Sequence, residues 1–223
     1  QVMLINHQDA FLAVHKALPQ INKVIEKIFA KLENSDEARL IYAGAGTSAR
    51  IAVQDAVELY PTFGWPKNRI AFMVAGGNKA ILTSVEGAED KSEDVKSIGK
   101  KICITSKDVL IGLAASGNTP YTKECIKFAK AKNAITVAIS NNKNGKILKE
   151  ADYNIFLDTG FEIIAGSTRL KAATAQKICL NIISSMIMTK FGFVKNGLMT
   201  HFIASNRKLK KRKLIVSRLT KNN

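Results

Sequence analysis

The sequence predicts an α/β fold, a flavodoxin-like three-layer αβα sandwich built on a five-stranded parallel sheet. Two observations support this prediction. Five short, β-rich apolar runs alternate with helical segments, and each run is continuously apolar, which is typical of parallel strands covered on both faces. The runs cover residues 39–46, 69–77, 108–117, 134–140 and 153–158. Strands and helices in this alternation favour a doubly wound sheet.

Two long helices flank this core in the sequence. Residues 8–33 carry apolar side chains at helical spacing, which predicts an amphipathic N-terminal helix. Residues 168–191 are apolar around much of a helical circumference, as in "CLNIISSMIM". We expect this last helix to be deeply buried, or partly buried by a second subunit.

Length and charge indicate one domain and a basic tail. The 223 residues contain no repeat or low-complexity linker, so we predict a single domain over 1–206 and a tail over 207–223. The net charge is +16, and eight of the Lys and Arg residues lie in the tail. The tail could be a nucleic-acid arm, but its helical apolar spacing favours a helix with solvated lysines.

The remaining composition narrows the class of protein. The three cysteines, Cys103, Cys125 and Cys179, and the three histidines have no metal-ligand spacing, so we expect no metal. No apolar stretch reaches the roughly 18 residues of a membrane span, and no secretory pattern opens the chain. We therefore expect a cytoplasmic location.

The first strand ends in a Gly-rich turn that matches a dinucleotide fingerprint. Residues Gly44 to Ala49 read G-x-G-x-x-A. A dinucleotide site should also have an acid at the end of the second strand, roughly 20 residues on, to bind the ribose. That strand ends "MVAGG", and "YPTFGWP" interrupts the intervening helix. We therefore predict no nicotinamide or flavin cofactor.

Hydroxyl groups follow the first and third strands. Thr47 and Ser48 lie in the first turn, while Ser116, Asn118 and Thr119 lie in "AASGNTPY". Each turn precedes a helix, whose free N–H groups and positive dipole end favour an anion. Ser and Thr are also common helix caps, so one such turn alone is equivocal. Two such turns at the same edge of a sheet favour a phosphorylated small molecule as the ligand.

These turns resemble the sugar isomerase (SIS) domain, a phosphosugar-binding module. The chain is similar to the N-acetylmuramic acid 6-phosphate etherases from about residue 5 to 214. The matching stretches include "LIYAGAGTSAR", "DAVELYPTFG", "VEGAEDK", "GLAASGNTPY", "GSTRLKAATAQK" and "GLMTHFIASNRKL". The SIS turns occur in isomerases, synthases and regulators alike, whereas "ELYPTFG", "VEGAED" and "GSTRLKA" are distinctive of the etherases.

The resemblance implies a lyase of amino-sugar catabolism and peptidoglycan recycling. Such an enzyme cleaves the D-lactyl ether of N-acetylmuramic acid 6-phosphate to N-acetylglucosamine 6-phosphate and D-lactate, by elimination and then water addition. Two carboxyl groups in opposite protonation states can perform both steps without a cofactor. By family match, Glu58 would protonate the departing lactate and Glu89 would be the base. The residues alone favour a structural interpretation, with Glu89 in an acidic helix start and Glu58 on a solvated helix face, and the resemblance reverses this preference.

The other site residues follow from the same motifs. Thr47, Ser48, Ser116, Asn118 and Thr119 are expected to bind phosphate and sugar. Ser167 and Lys171 in "GSTRLKA" could add donors and a cation at the start of the last helix, although Ser167 could be a structural cap. SIS modules usually pair, so we expect a homodimer with the site near the subunit contact, and no nucleic-acid or membrane partner.

Four positions depart from the family pattern. Ala49 replaces a Gly, the order Asn196-Gly197 is reversed, and His201 replaces an Asp. By comparison with the family, we expect the segments that flank the SIS domain to be absent or replaced by the basic tail. These departures bear on activity more than on fold. The alternative function is a non-catalytic phosphosugar sensor, similar to the glucokinase regulatory proteins.

Overall fold

The computed structural model describes residues 1–204 and 207–221, and a parallel five-stranded sheet lies at its centre. Its strands are β1 (Leu40–Gly44), β2 (Ile70–Val74), β3 (Val109–Leu113), β4 (Ile135–Ser140) and β5 (Tyr153–Phe156). They lie in the order β2-β1-β3-β4-β5 and all pair in parallel. Each apolar run of the sequence contains one strand, so the predicted flavodoxin-like sheet is confirmed.

The strand register brings several loops to one edge of the sheet. Gly44, the last residue of β1, pairs with Val74 and Leu113, the last residues of β2 and β3. The turns that follow these three strands therefore start side by side. Parallel sheets bind ligands beyond this carboxyl edge, where the strand order reverses on either side of β1.

Helices cover both faces of the sheet. They are α1 (Val2–Glu33), α2 (Gly46–Val57), α3 (Leu59–Phe63), α4 (Lys79–Leu82), α5 (Asp94–Lys101), α6 (Pro120–Ala131), α7 (Lys146–Glu150), α8 (Lys171–Lys190) and α9 (Arg207–Lys221). Side chains of α1, α2 and α8 share one hydrophobic core with the sheet. Side chains of α5, α6 and α7 share a second core on the opposite face. These three layers are the predicted sandwich.

The two long helices pack against each other and explain each other's apolar patterns. Helix α1 buries Ile21 and Ile28 completely, and α8 does the same with Ile187. Burial of apolar surface contributes about 25 cal/mol per Å², so this pair is a major source of stability. Helix α1 begins earlier than the predicted residue 8. Helix α8 begins at Lys171 and not at the predicted residue 168, and residues 168–170 form turns.

A small hairpin follows α8 and accounts for one departure from the family pattern. Strands β6 (Val194–Lys195) and β7 (Leu198–Met199) pair antiparallel around Asn196 and Gly197. Both turn residues have positive φ, 51° and 74°. Asn-Gly is a favoured sequence for such a two-residue turn. The order Asn196-Gly197 is therefore the one that this hairpin needs.

Candidate functional site

The turn after β1 opens into a cavity of about 240 Å³ at the carboxyl edge of the sheet. We name it the Thr47 cavity. Its lining consists of Ala45, Gly46, Thr47, Arg50, Ala75, Ala80, Ser84, Val85, Glu86, Gly87, Ala88 and Glu89. Two predicted site residues, Thr47 and Glu89, thus share one hollow, and Glu86 is beside them. Ser48 is buried and does not line the cavity.

The first turn of α2 presents its backbone amides without a side-chain cap. Ala45 is the N-cap residue, in extended conformation, and makes no capping hydrogen bond from its side chain. Thr119 is the N-cap of α6, and its hydroxyl likewise makes no capping bond. Thr47 and Ser48 lie inside α2 rather than at its N-cap, so neither helix has a hydroxyl capping bond at its N-cap residue. Free amides at a helix N-terminus favour an anion.

Arg50 joins α2 to the segment that carries Glu89. Its Nε donates to the carbonyls of Ala80, at 3.1 Å, and Ile81, at 3.2 Å, and its Nη2 donates to that of Thr83, at 3.2 Å. These carbonyls belong to the end of α4, where a cation is favoured by the helix dipole. The next residues, 84–89, form the cavity wall. The sequence motif "GTSAR" contains Arg50, but its spacing gave no indication of these partners.

The turn after β3 is braced by the turn after β4. The Ser116 hydroxyl accepts from the Asn118 backbone N–H at 3.2 Å, and the Asn118 Oδ1 accepts from that of Lys146 at 3.2 Å. The Asn142 side chain donates to the Ser116 carbonyl at 2.9 Å. A Cβ on Gly117 would lie 2.4 Å from the Gly145 Cα, so glycine is required for this approach. Ser116 and Asn118 thus shape their own loop, and Ser116 is exposed at its tip.

Glu58 lies at the other end of α2, in a narrower hollow of about 100 Å³ between α2 and α8. We name it the Glu58 groove. Its lining consists of Ile51, Gln54, Asp55, Glu58, Lys177 and Asn181. Glu58 follows Thr47 by eleven residues along α2, a distance of about 16 Å along the helix axis. Within one chain, the structure therefore does not bring Glu58 together with Glu89.

A buried hydrogen-bond network lines the Glu58 groove. Asp55 is 8% exposed, and its Oδ1 accepts from the Asn181 amide at 2.7 Å and the Ser184 hydroxyl at 3.1 Å. Its Oδ2 is buried without a partner. Burial raises the pKa of Asp55, whereas these hydrogen bonds and the Lys177 charge oppose the rise. The Lys177 ammonium donates to the Asn181 Oδ1 at 2.8 Å.

The backbone N–H groups at the start of α8 are hydrogen-bonded to a side chain of the same chain. The Glu162 carboxylate accepts from the backbone N–H groups of Lys171, at 3.2 Å, and Ala172, at 2.9 Å. The Lys171 side chain is 2% exposed, and its ammonium lies 2.7 Å from the Asp9 carboxylate. Ser167 lies in the preceding turn, where its N–H donates to the Ile164 carbonyl. A role for Ser167 and Lys171 in substrate binding stays a prediction, and both groups have structural partners.

The four residues that depart from the family pattern line neither the Thr47 cavity nor the Glu58 groove, as far as the structure describes these hollows. Ala49 is buried in a small cluster with Val74 and Ala80, behind the wall of the Thr47 cavity. The His201 ring packs 4.6 Å from that of Phe193 on the hairpin. In residues 1–204 and 207–221, no group of three or more His, Cys, Asp or Glu side chains could hold a metal ion. In the same ranges, none of the helices is long and apolar enough to cross a membrane.

Comparison with known proteins agrees with this geometry. Residues 85–186 match the SIS domain model, and residues 20–130 match the model of the glucokinase regulatory protein N-terminal SIS domain. A phosphoheptose isomerase from Francisella tularensis superimposes with a TM-score of 0.62 at 16% identity, covering 82% of this chain and 92% of that one. The two family-model matches, together with the fold, identify an SIS domain.

Closer relatives identify the family. The N-acetylmuramic acid 6-phosphate etherase of Mycoplasma mycoides is 43% identical over 222 residues, covering 98% of this chain and 73% of the relative. That of Bacillus cereus is 47% identical over 205 residues, covering 90% and 68%. The chain belongs to the N-acetylmuramic acid 6-phosphate etherase family, whose members are carbon–oxygen lyases.

Proposed function

We propose that the chain cleaves the D-lactyl ether of N-acetylmuramic acid 6-phosphate, with Glu89 as base and Glu58 as acid. Glu89 removes the proton from C2 of the open-chain aldehyde, and the C3–O bond breaks as Glu58 protonates the lactate oxygen. Water then adds its oxygen to C3 and a proton returns to C2. The products are N-acetylglucosamine 6-phosphate and D-lactate.

The Thr47 cavity is the observation that carries this proposal. It combines the uncapped first turn of α2, the Thr47 hydroxyl and the Glu89 carboxylate in one hollow. Amide and hydroxyl donors suit the phosphate or the polar groups of a sugar. A carboxylate beside them supports the proposed role of Glu89 as base on the carbon next to the aldehyde. The Ser116 turn, which starts from the neighbouring strand β3, would supply further donors.

A second copy of the chain would complete the site. Since Glu58 lies at the opposite end of α2 from the Thr47 cavity, it would serve the cavity of a partner subunit rather than its own. Glu58 is exposed, and the preceding Val57 is 50% exposed, which leaves this end of α2 open to a partner. Most soluble oligomers are symmetric, so a two-fold dimer would contain two equivalent sites.

Release of D-lactate from N-acetylmuramic acid 6-phosphate tests the function. We expect the wild-type chain to release it, and Glu58→Gln and Glu89→Gln each to lose that activity by about 100-fold or more. The match to the glucokinase regulatory protein domain favours a sensor as second candidate. A sensor would be stabilised by sugar phosphates and release no lactate, which would contradict the proposal.

A further inference from the structure

We propose that Lys177, held in place by Asn181, binds the lactyl carboxylate of the substrate. The inference rests on the proposed function, because it assumes that Glu58 protonates the lactate oxygen. It adds a second anion site to the one expected for the phosphate, and it makes Lys177 a determinant of substrate choice. The ligand class is a 2-hydroxy carboxylate, free or attached as an ether.

The chemistry of the leaving group places a carboxylate close to Glu58. In a lactyl ether, the carbon that bears the ether oxygen also bears the carboxylate. Any acid that protonates this oxygen is therefore near the carboxylate too. An unpaired carboxylate next to the acidic side chains of the Glu58 groove would be repelled, so a cation is needed there. Lys177 supplies one, and it lines the same hollow as Glu58.

The hydrogen-bond network keeps Lys177 in position. Its Nζ donates to the Asn181 Oδ1 at 2.8 Å, and the Asn181 amide donates to the Asp55 carboxylate at 2.7 Å. Asp55 is itself fixed by the Ser184 hydroxyl at 3.1 Å. An ammonium has three donors, and this contact uses one of them. The other donors of Lys177 are available for a carboxylate, since the side chain is exposed.

Two other cations that the motifs contain, Arg50 and Lys171, already have partners. The Arg50 guanidinium lines the Thr47 cavity, but its donors are used by three carbonyls at the end of α4. The Lys171 ammonium is buried against Asp9. Glu58 and Lys177 are carried by the same chain, so they would reach the substrate together in a dimer.

The test compares ligands with and without the carboxylate. Lys177→Met should raise KM for N-acetylmuramic acid 6-phosphate about 10- to 100-fold and weaken competitive inhibition by D-lactate to a similar extent. Inhibition by N-acetylglucosamine 6-phosphate, which has no lactyl group, should change less than about twofold. Lys177→Arg, which keeps the charge, should retain most of the affinity.

A matched control and a second readout keep the test decisive. Lys127, an exposed lysine on α6 across the sheet, provides the control Lys127→Met, with unchanged constants expected. Unchanged KM and lactate inhibition in Lys177→Met, or equal weakening of both sugar phosphates, would overturn the inference.

The outcome is separable from that of the proposed function. If the wild-type chain releases no lactate, calorimetry of the two sugar phosphates decides instead. A wild-type preference for the lactyl sugar that Lys177→Met abolishes supports the carboxylate site. Absence of that preference, or its survival in the variant, overturns it.

Discussion

The two ends of helix α2 differ in the size of their hollows and in the backbone groups that they present. At the N-terminal end, uncapped amides, the Thr47 hydroxyl and Arg50 surround a cavity of about 240 Å³. At the C-terminal end, Glu58 and Asp55 share a narrow groove with Lys177. The first end favours anions and the second favours cations, as the helix dipole requires. In the proposed dimer, one helix would hold the phosphate in one subunit and the leaving group in another.

We expect the largest effect in an assay of the first chemical step alone, which distinguishes the roles of Glu58 and Glu89. Removal of the C2 proton needs only the base, so Glu58→Gln should still exchange the C2 hydrogen of N-acetylglucosamine 6-phosphate with deuterated water. Glu89→Gln should lose this exchange by about 100-fold or more. Proton NMR of the C2 signal measures both variants. Equal loss of exchange in both would mean that the two ends of α2 do not divide the chemistry.

Arg50→Lys should have the next largest effect. A lysine keeps the charge and loses the planar fork that holds the end of α4, so the Glu89 segment would move relative to the Thr47 turn. We expect kcat to fall about 10- to 100-fold in a folded protein. Steady-state kinetics with hydrogen exchange over residues 79–90 checks this.

Arg39 provides the matched control for Arg50. Like Arg50, it donates to backbone carbonyls, here those of Ile102 and Cys103, but it lies at the amino edge of the sheet and binds the Asp108 carboxylate as well. Arg39→Lys should lower Tm and leave kcat unchanged. Equal losses of kcat in both variants would show that Arg50 acts only on stability.

Asp55→Asn should change how stability depends on pH. Burial raises the pKa of Asp55, so the folded state binds this proton more tightly than the unfolded state does. Its stabilising effect is then complete below the ordinary pKa of about 4 and is lost as the pH rises through the raised value. The variant lacks this loss, so its Tm relative to wild type should increase from pH 4 to pH 7. A constant difference across this range would contradict the assignment.

Ala49→Gly should have the smallest effect. The Ala49 methyl packs with Val74 and Ala80 behind the Thr47 cavity, so the family residue at this position should leave kcat and KM unchanged. Glycine inside a helix costs about 1 kcal/mol, so we expect only a lower Tm. A large gain in activity would show that Ala49 restricts the ligand.

The sheet and the Gly-rich turns could be predicted from sequence because their signals are local. Each strand is a continuous apolar run, and the turn residues follow it directly. The start of α8 could not be placed, since Glu162 provides the cap from nine residues before Lys171. The pairing of Lys171 with Asp9 joins residues 162 apart, and no spacing indicates it.

The candidate site was predicted only in part for the same reason. Motifs identified Glu58 and Glu89 as a pair, but their separation follows from the length of α2 between the two hollows. The contacts of Arg50 with the Ala80 carbonyl and of Asn181 with Asp55 depend on packing between elements distant in sequence. A helical i,i+4 spacing puts Lys177 and Asn181 on one face of α8, which was the available signal.

Mixing two inactive variants tests the central claim, that each site takes Glu58 from one subunit and Glu89 from another. Glu58→Gln and Glu89→Gln are unfolded together, refolded in equal amounts and assayed for D-lactate release. Half of the dimers would be mixed, and one of the two sites in each would be intact, so activity should return to about a quarter of wild type. The claim would be contradicted if the wild-type chain, refolded in the same way, were active and the refolded mixture of variants were not.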